Sequence, residues 1–456
     1  MGEAEGGVRV GESPLRREDL GALFRPATAE RIGLEIECGV VDPETGRAAP
    51  YEGEHGMGAV LAAVLKEWSG EPLYDGGALV AVRLADGGLV GLEHGGQLEY
   101  SAPPADDVVS AVSDVRERLA ALSEIVGRHG LALLPGAHLP FDGLGTVSWV
   151  PLARGPIMRT HFAGLGADGS GGAEILALST STQVHLDHLG EDDFVQKLRL
   201  HAAASPVVAA LFVNAPLHEG RADGVLSRRS LNWTRTDPCR CGPVVPALSG
   251  MTGFDDVVNW ALDIPVLYYR NGSGRLRRGG GRSFASALAD GFDDGSRPDF
   301  DHWTAHLGQI WTHVRVRETL ELRAADGPPH LHFSAVPALW AGLTYHRPSR
   351  DAAWNLLRHY TLDQQREVSR RLPLEGLRTR LGGDRVHDLA AELVSLAREG
   401  LTRRVAAGLE RPEAPGYLDP LDEVLATGRT FAEQCAHRWR TDLREDPRRY
   451  VAAYRV

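Results

Sequence analysis

Arg31-Ile32-Gly33-Leu34-Glu35-Ile36-Glu37-Cys38-Gly39-Val40-Val41 is the stretch on which the fold of this chain turns. Apolar residues alternate there with charged or small ones, the period-two pattern of a half-buried β-strand. Residues two apart on a strand project to the same face, so Glu35 and Glu37 share one. Two carboxylates side by side repel unless a positive charge lies between them. A divalent cation is the obvious candidate.

The pattern recurs further along the chain. In Leu92-Glu93-His94-Gly95-Gly96-Gln97-Leu98-Glu99 the acceptors Glu93, Gln97 and Glu99 have one parity and share a face if the glycines leave the strand regular. Gly88 to Tyr100 as a whole reads as two strands or as one strand with a tight bend. Gln183-Val184-His185-Leu186-Asp187 and Thr319-Leu320-Glu321-Leu322-Arg323 are the third and fourth instances. Each alone is equally the pattern of a solvated strand face. Four together can converge on two or three hard cations, and oxygen-rich donors favour Mg²⁺ or Mn²⁺ over zinc. His185 suits Mn²⁺ better than Mg²⁺, and a structural histidine is its other reading. Arg323 follows Glu321 on the same face, where a guanidinium can hold a phosphoryl oxygen beside a metal. In Ser227-Arg228-Arg229-Ser230-Leu231-Asn232-Trp233, a basic pair precedes an aromatic. That combination is able to grip an amino-acid carboxylate against an apolar wall; a plain surface arginine is the alternative for Arg229.

Between these segments the spacing of apolar residues predicts a long amphipathic helix from Ala105 to Gly130, started by Asp106 and Asp107, and a short strand at Leu131 to Leu134. Gly164 to Gly172 reads as a loop, Ser179 to Leu186 as a strand and Asp192 to Leu211 as a helix. Asn271 to Arg282 is glycine-rich and carries Arg275, Arg277, Arg278 and Arg282. It reads as a mobile basic loop, either a solvated connection or a lid reaching for phosphate. After Pro348 the chain is mainly helical, for example at Val386 to Leu401. Strands confined to the first three quarters and mixed irregularly with helices point to an α+β fold, not a doubly wound sheet. Residues 1–19, rich in glycine and charge and without an apolar core, read as a mobile arm. Residues 20–456 read as one domain whose part from about 348 is mainly helical.

Composition narrows the function further. An apolar fraction of 43% with 24% charged residues is globular. No apolar run approaches the roughly 20 residues of a membrane helix, so a soluble, cytoplasmic protein is expected. The net charge of −12 argues against a nucleic-acid surface. It leaves a nucleotide open, because carboxylates can recruit divalent cations that bridge to polyphosphate. Lys66 and Lys197 are the only lysines against 47 arginines, so phosphate contacts fall to arginine, metal or backbone. Cys38, Cys239, Cys241 and Cys435 are too few and scattered for a disulfide framework. Cys239 and Cys241, the one close pair, read as loop thiols, with a redox or metal role as the alternative.

Six segments in order carry a family resemblance. They are Ile32 to Glu37, Leu92 to Glu99, Asn214-Ala215-Pro216-Leu217-His218-Glu219-Gly220, Ser227 to Ser230 with Trp233, Ala261-Leu262-Asp263-Ile264-Pro265, and Leu320-Glu321-Leu322-Arg323-Ala324-Ala325-Asp326-Gly327. Their order resembles the glutamate-cysteine ligase family, in particular its plant and proteobacterial branch and the related actinobacterial enzymes that open ergothioneine synthesis. The resemblance implies a glutamine-synthetase-like carboxylate-amine ligase fold, an open, saddle-shaped and mainly antiparallel sheet with flanking helices. It implies ATP and Mg²⁺ as cofactors, with Mn²⁺ the alternative, and glutamate, cysteine and ATP as substrates joined through γ-glutamyl phosphate. Glu35, Glu37, Glu93, Glu99, His185 and Glu321 would then hold metals. Glu37, Glu321 and Arg323 would be catalytic, with Arg323 on the transferring phosphoryl group. Arg229 would bind the α-carboxylate of glutamate, and Gln97 and Trp233 would shape the pocket. Plant members have Asn in place of His185 and Pro in place of His94, so the metal shell is similar to that of the histidine-containing ligases. A sibling ligase with another amine acceptor, or a non-catalytic amino-acid or nucleotide sensor, are the competing functions.

Overall fold

The computed structural model describes residues 15–456. Strand β1, Ile32–Val41, forms where the alternation requires it: Ile32, Leu34, Ile36 and Cys38 are all no more than 2% exposed on one face. It is the hub of a nine-stranded sheet with β2 (Glu71–Asp75), β3 (Ala78–Arg83), β4 (Leu89–Leu92), β5 (Leu98–Ser101), β6 (Ala132–Pro135), β7 (Thr182–Leu186), β8 (Val314–Val316) and β9 (Leu320–Leu322). The order is β8-β9-β7-β1-β5-β4-β3-β2, with β6 added on β1. Every pairing in it is antiparallel. Helices cover the apolar face. Val108–Arg128 packs on β1 and β6, Met57–Trp68 on β3, and Ala335–Tyr345 on β7 and β1. The Asp107 carboxylate caps Val108–Arg128 by accepting from Ser110 N at 2.8 Å, which satisfies an otherwise unpaired first-turn amide.

Most expected elements are found within a few residues: the helix Glu191–Leu211, strand β6 and strand β7. Gly88 to Tyr100 is two strands, because Gly96 at φ 84° closes a turn in which Glu93 N bonds Gln97 O at 2.9 Å. The expected loop at Gly164 to Gly172 is mostly turns of helix. A 3₁₀ segment, Gly166–Gly169, joins the helices Arg154–Gly164 and Gly172–Leu178. The basic segment at Asn271 to Arg282 is no simple loop either: Leu276–Arg278 pairs with Tyr268–Arg270 as a hairpin. Of the expected N-terminal arm, residues 1–14 lie outside the described residues, and Arg17 to Asp19 belong to a 3₁₀ helix, Arg17–Leu23. From Arg347 the chain is mainly helical, with the two-residue strands Arg380–Leu381 and Asp384–Arg385 between helices. Among the described residues no helix is long and apolar enough to cross a membrane.

Candidate active site

Because apolar residues of β1 face the helices, its odd positions face the other way, and register lines up their neighbours. Glu321 on β9 stands opposite His185 on β7, which stands opposite Gly33 on β1. Glu35 lies between Gln183 and Ser101, and Glu37 stands directly opposite Glu99. Gly33 has a steric role here: a Cβ on it would come 3.0 Å from the His185 Cβ. Glu93 joins the row from the turn between β4 and β5. The structure thus puts Glu35, Glu37, Glu99, His185 and Glu321 on one face, with Glu93 near enough for its charge to act on Glu37 and Glu99.

Electrostatics divides that face in two. On one half, Arg315 grips Glu321 bidentately, Nε to Oε2 at 2.5 Å and Nη2 to Oε1 at 2.7 Å, and Arg323 pairs with both Glu321 and Gln183. Burial works against the Glu321 carboxylate, but these two guanidiniums and His185 hold it well below the usual range. His185 Nε2 lies 3.2 Å from Glu35 Oε1. Burial alone would raise Glu35; the imidazole outweighs it and pulls the carboxyl down to about 2. Burial likewise opposes the imidazolium, and Glu35 outweighs it to raise His185. One donor atom each of Glu35, His185 and Glu321 lie within 4.8 Å of one another.

The other half is compensated only in part. Burial, Glu99 and Glu93 push Glu37 up to about 8, and the nearby Arg229 and Arg323 only moderate this. Burial, with Glu35 and Glu93, pushes Glu99 up to about 7. Neutral donors support these acids: Ser181 Oγ and Gln183 Nε2 donate to Glu37 at 3.0 and 2.9 Å, and Ser101 Oγ donates to Glu99 at 2.9 Å. Half-buried to buried carboxylates that resist ionising together form a donor set that fits a hard divalent cation.

The remaining expected residues are placed differently. Arg229, 3% exposed, donates to Arg323 O at 2.8 Å and Ala325 O at 3.3 Å and lies 3.7 Å from Asp326, so it also ties down the chain after β9. Trp233 ends the same short helix, Arg228–Trp233, with its ring centroid 6.4 Å from that of Trp311. Gln97 uses both ends of its amide on backbone, accepting from Gly95 N and donating to Ser179 O at 2.9 Å each. It holds the turn that carries Glu93. Ser101, Ser181 and Arg315 were not singled out from the sequence. Arg315 had a signal, the Val314-Arg315-Val316-Arg317 alternation just before the Glu321 stretch, which becomes informative once the two are seen as a hairpin. Cys239 and Cys241 are both free thiols.

The comparisons with known proteins bear on the fold and the family. A solved structure of glutamate-cysteine ligase from Francisella tularensis, in complex with AMP, matches with a TM-score of 0.55 at 11% identity, covering 94% of this chain and 89% of the other. That likeness is one of fold: an open, mainly antiparallel sheet of the carboxylate-amine ligase type. The chloroplastic glutamate-cysteine ligases of Nicotiana tabacum and Arabidopsis thaliana are each 30% identical over 431 residues, 93% of this chain and 80% of the relative. Residues 31–453 match the model of glutamate-cysteine ligase family 2 (GCS2), and the chain belongs to that family. It is an ATP-dependent ligase whose activity yields γ-glutamylcysteine.

Proposed function

We propose that the acidic face binds ATP through two or three Mg²⁺ ions held by Glu35, Glu37, Glu93, Glu99, His185 and Glu321, with Mn²⁺ the alternative, and activates glutamate as γ-glutamyl phosphate. The observation that carries this is Glu37 directly opposite Glu99, both carboxyls held above their usual range although Arg229 and Arg323 lie near Glu37. Bound there, the ions supply charge neutralisation for the polyphosphate. Arg229 and Trp233 seat glutamate, and Arg323 steadies the transferring phosphoryl group. A γ-carboxylate oxygen attacks the γ-phosphorus and the bond to ADP breaks. The cysteine amine then attacks the acyl carbon, phosphate leaves with the bonding pair, and the amine loses a proton. Positioning and charge neutralisation do this chemistry, so the protein needs no covalent nucleophile.

ADP release is expected only when glutamate, cysteine and Mg²⁺ are all present, with γ-glutamylcysteine as the product mass. Turnover that ignores cysteine would sink the proposal. Ergothioneine synthesis is the proposed destination, on the resemblance to the actinobacterial enzymes, with glutathione synthesis the alternative. Disrupting the gene should then abolish ergothioneine; an unchanged ergothioneine pool would reject that destination.

Two further results are expected. Glu37 and Glu99 have raised folded-state pKa values, so their contribution to the stability of the cation-free protein is full below the ordinary carboxylate range and is lost as pH rises through about 7 to 8. Mg²⁺ displaces those protons. The thermal stabilisation by Mg²⁺ should therefore be larger at alkaline than at mildly acidic pH, and a scan of Tm against pH with and without Mg²⁺ checks it. Arg229→Lys loses the planar fork that spans two carbonyls and a carboxylate. The KM for glutamate should rise about 10-fold or more, because a bidentate carboxylate contact is worth a few kcal/mol. The KM for ATP should change far less.

A further inference from the structure

Outside the acidic row, three residues from separate elements converge. His138 lies in the loop after β6, Glu174 in the first turn of the helix Gly172–Leu178, and His218 at the start of the turn that returns at Arg221. One donor atom of each lies within 4.8 Å of the others, and the imidazole centroids are 5.5 Å apart. His138 is 7% exposed. Its Nδ1 lies 2.9 Å from Leu139 O; a carbonyl only accepts, so Nδ1 carries the proton and Nε2 the lone pair. That Nε2 is buried with no hydrogen-bond partner among the described residues, and so is His218 Nδ1. Buried polar atoms of this kind call for an explanation.

The backbone is shaped to bring them together. Glu219 has φ 48° and Gly220 φ 75°, both left-handed, and in Glu219 that conformation is strained. The turn is pinned to the His138 loop by Gly220 N donating to Pro140 O at 2.9 Å. Glu174 is oriented by Asn232, whose Nδ2 donates to Oε2 at 2.7 Å, and His138 by Leu139 O. Outer partners of this sort fix the tautomer and direction of metal ligands.

We propose that His138, Glu174 and His218 form a second metal site, separate from the acidic face and suited to a first-row transition ion such as Zn²⁺. Two imidazoles and one carboxylate are a borderline donor set, which favours Zn²⁺ over Mg²⁺ and leaves a fourth position for water. Asn232 belongs to the helix Arg228–Trp233, so the ion ties the 138–140 loop and the 218–221 turn to the element that carries Arg229 and Trp233. The site is a positioning device and does not depend on the roles proposed for the acidic face.

The test titrates chelator-stripped full-length protein with Zn²⁺ against a chromogenic chelator, with millimolar Mg²⁺ present to fill the acidic face. One tight equivalent is expected. H138A, H218A and E174Q should each weaken it by about 100-fold or more, whereas H185A should keep it. E174Q preserves an acceptor for Asn232, so its loss of zinc is not a folding defect. Co²⁺ added to the wild type should give the intense visible bands of a four-coordinate ion. The proposal is overturned by a wild type without a tight equivalent, by zinc retained in H138A and H218A, by zinc lost in H185A, or by Co²⁺ bound without those bands.

Discussion

Glu37→Gln lowers turnover by about three orders of magnitude or more and leaves the cation-free protein at least as stable as the wild type. The first half follows from removing one anionic ligand from the proposed metal cluster, where a loss of about 4 kcal/mol in the transition state corresponds to about 1000-fold in rate. The second half follows from the carboxyl itself. Burial and two neighbouring acids already hold Glu37 up to about 8, so near neutral pH the cation-free protein keeps it largely protonated. An uncharged amide of the same shape removes the repulsion outright. The stability gain should grow as pH rises from the ordinary carboxylate range to about 8, where the unfolded chain is ionised and the folded wild type is not, and level off above that. ADP release with saturating Mg²⁺, alongside melting curves without it, checks both halves. Unimpaired turnover would remove Glu37 from the metal cluster, and a collapse in Tm would mean that its charge is structural.

Glu321→Gln is expected to behave in the opposite way. Its carboxylate is 1% exposed and is held by Arg315, Arg323 and the His185 imidazole. Removing the negative partner of a buried pair leaves cations stranded, at a cost of about 3–5 kcal/mol. Turnover and stability should therefore fall together, with a clear drop in Tm. The sign with pH is the reverse of Glu37. A depressed carboxylate contributes stability above the ordinary carboxylate pKa and loses it as pH falls through the folded value. Wild type and variant should therefore converge in strong acid. Arg315→Met in the E321Q background removes one stranded charge and should restore part of the stability without restoring turnover. Failure to recover any stability would show that the loss is not electrostatic.

These contrasting carboxylates show where the sequence was legible and where it was not. Alternation with period two reports which face a residue occupies, so Glu35, Glu37, Glu99, His185 and Glu321 could be grouped before any register was known. Alternation does not report which strand lies opposite. Glu321 was therefore readable as an acid on a face and unreadable as the partner of Arg315. The β2–β3 hairpin went unseen, since its half-exposed residues have no clean periodicity. Gln97 had the right parity, but its amide turned inward to brace the glycine turn. His138, Glu174 and His218 sit in three separate elements and share no local pattern, so only tertiary structure brings them together. The histidine of Asn214 to Gly220 was quoted for its motif alone.

The hub position of β1 also bears on how the chain matures as it leaves the ribosome. Glu35 is next to its imidazole only after β7 has been made, and β7 finds Glu321 only after β9, almost three hundred residues downstream of Glu35. At ~5–20 residues per second the nascent chain carries an incomplete acidic strand for about 15–60 s. During that interval β1 can pair with β5 and β6 but offers β7 an open edge. Until β7 and β9 arrive, Glu35 lacks His185 and the row lacks Glu321, so the acidic face is a product of the finished sheet and not of any one strand.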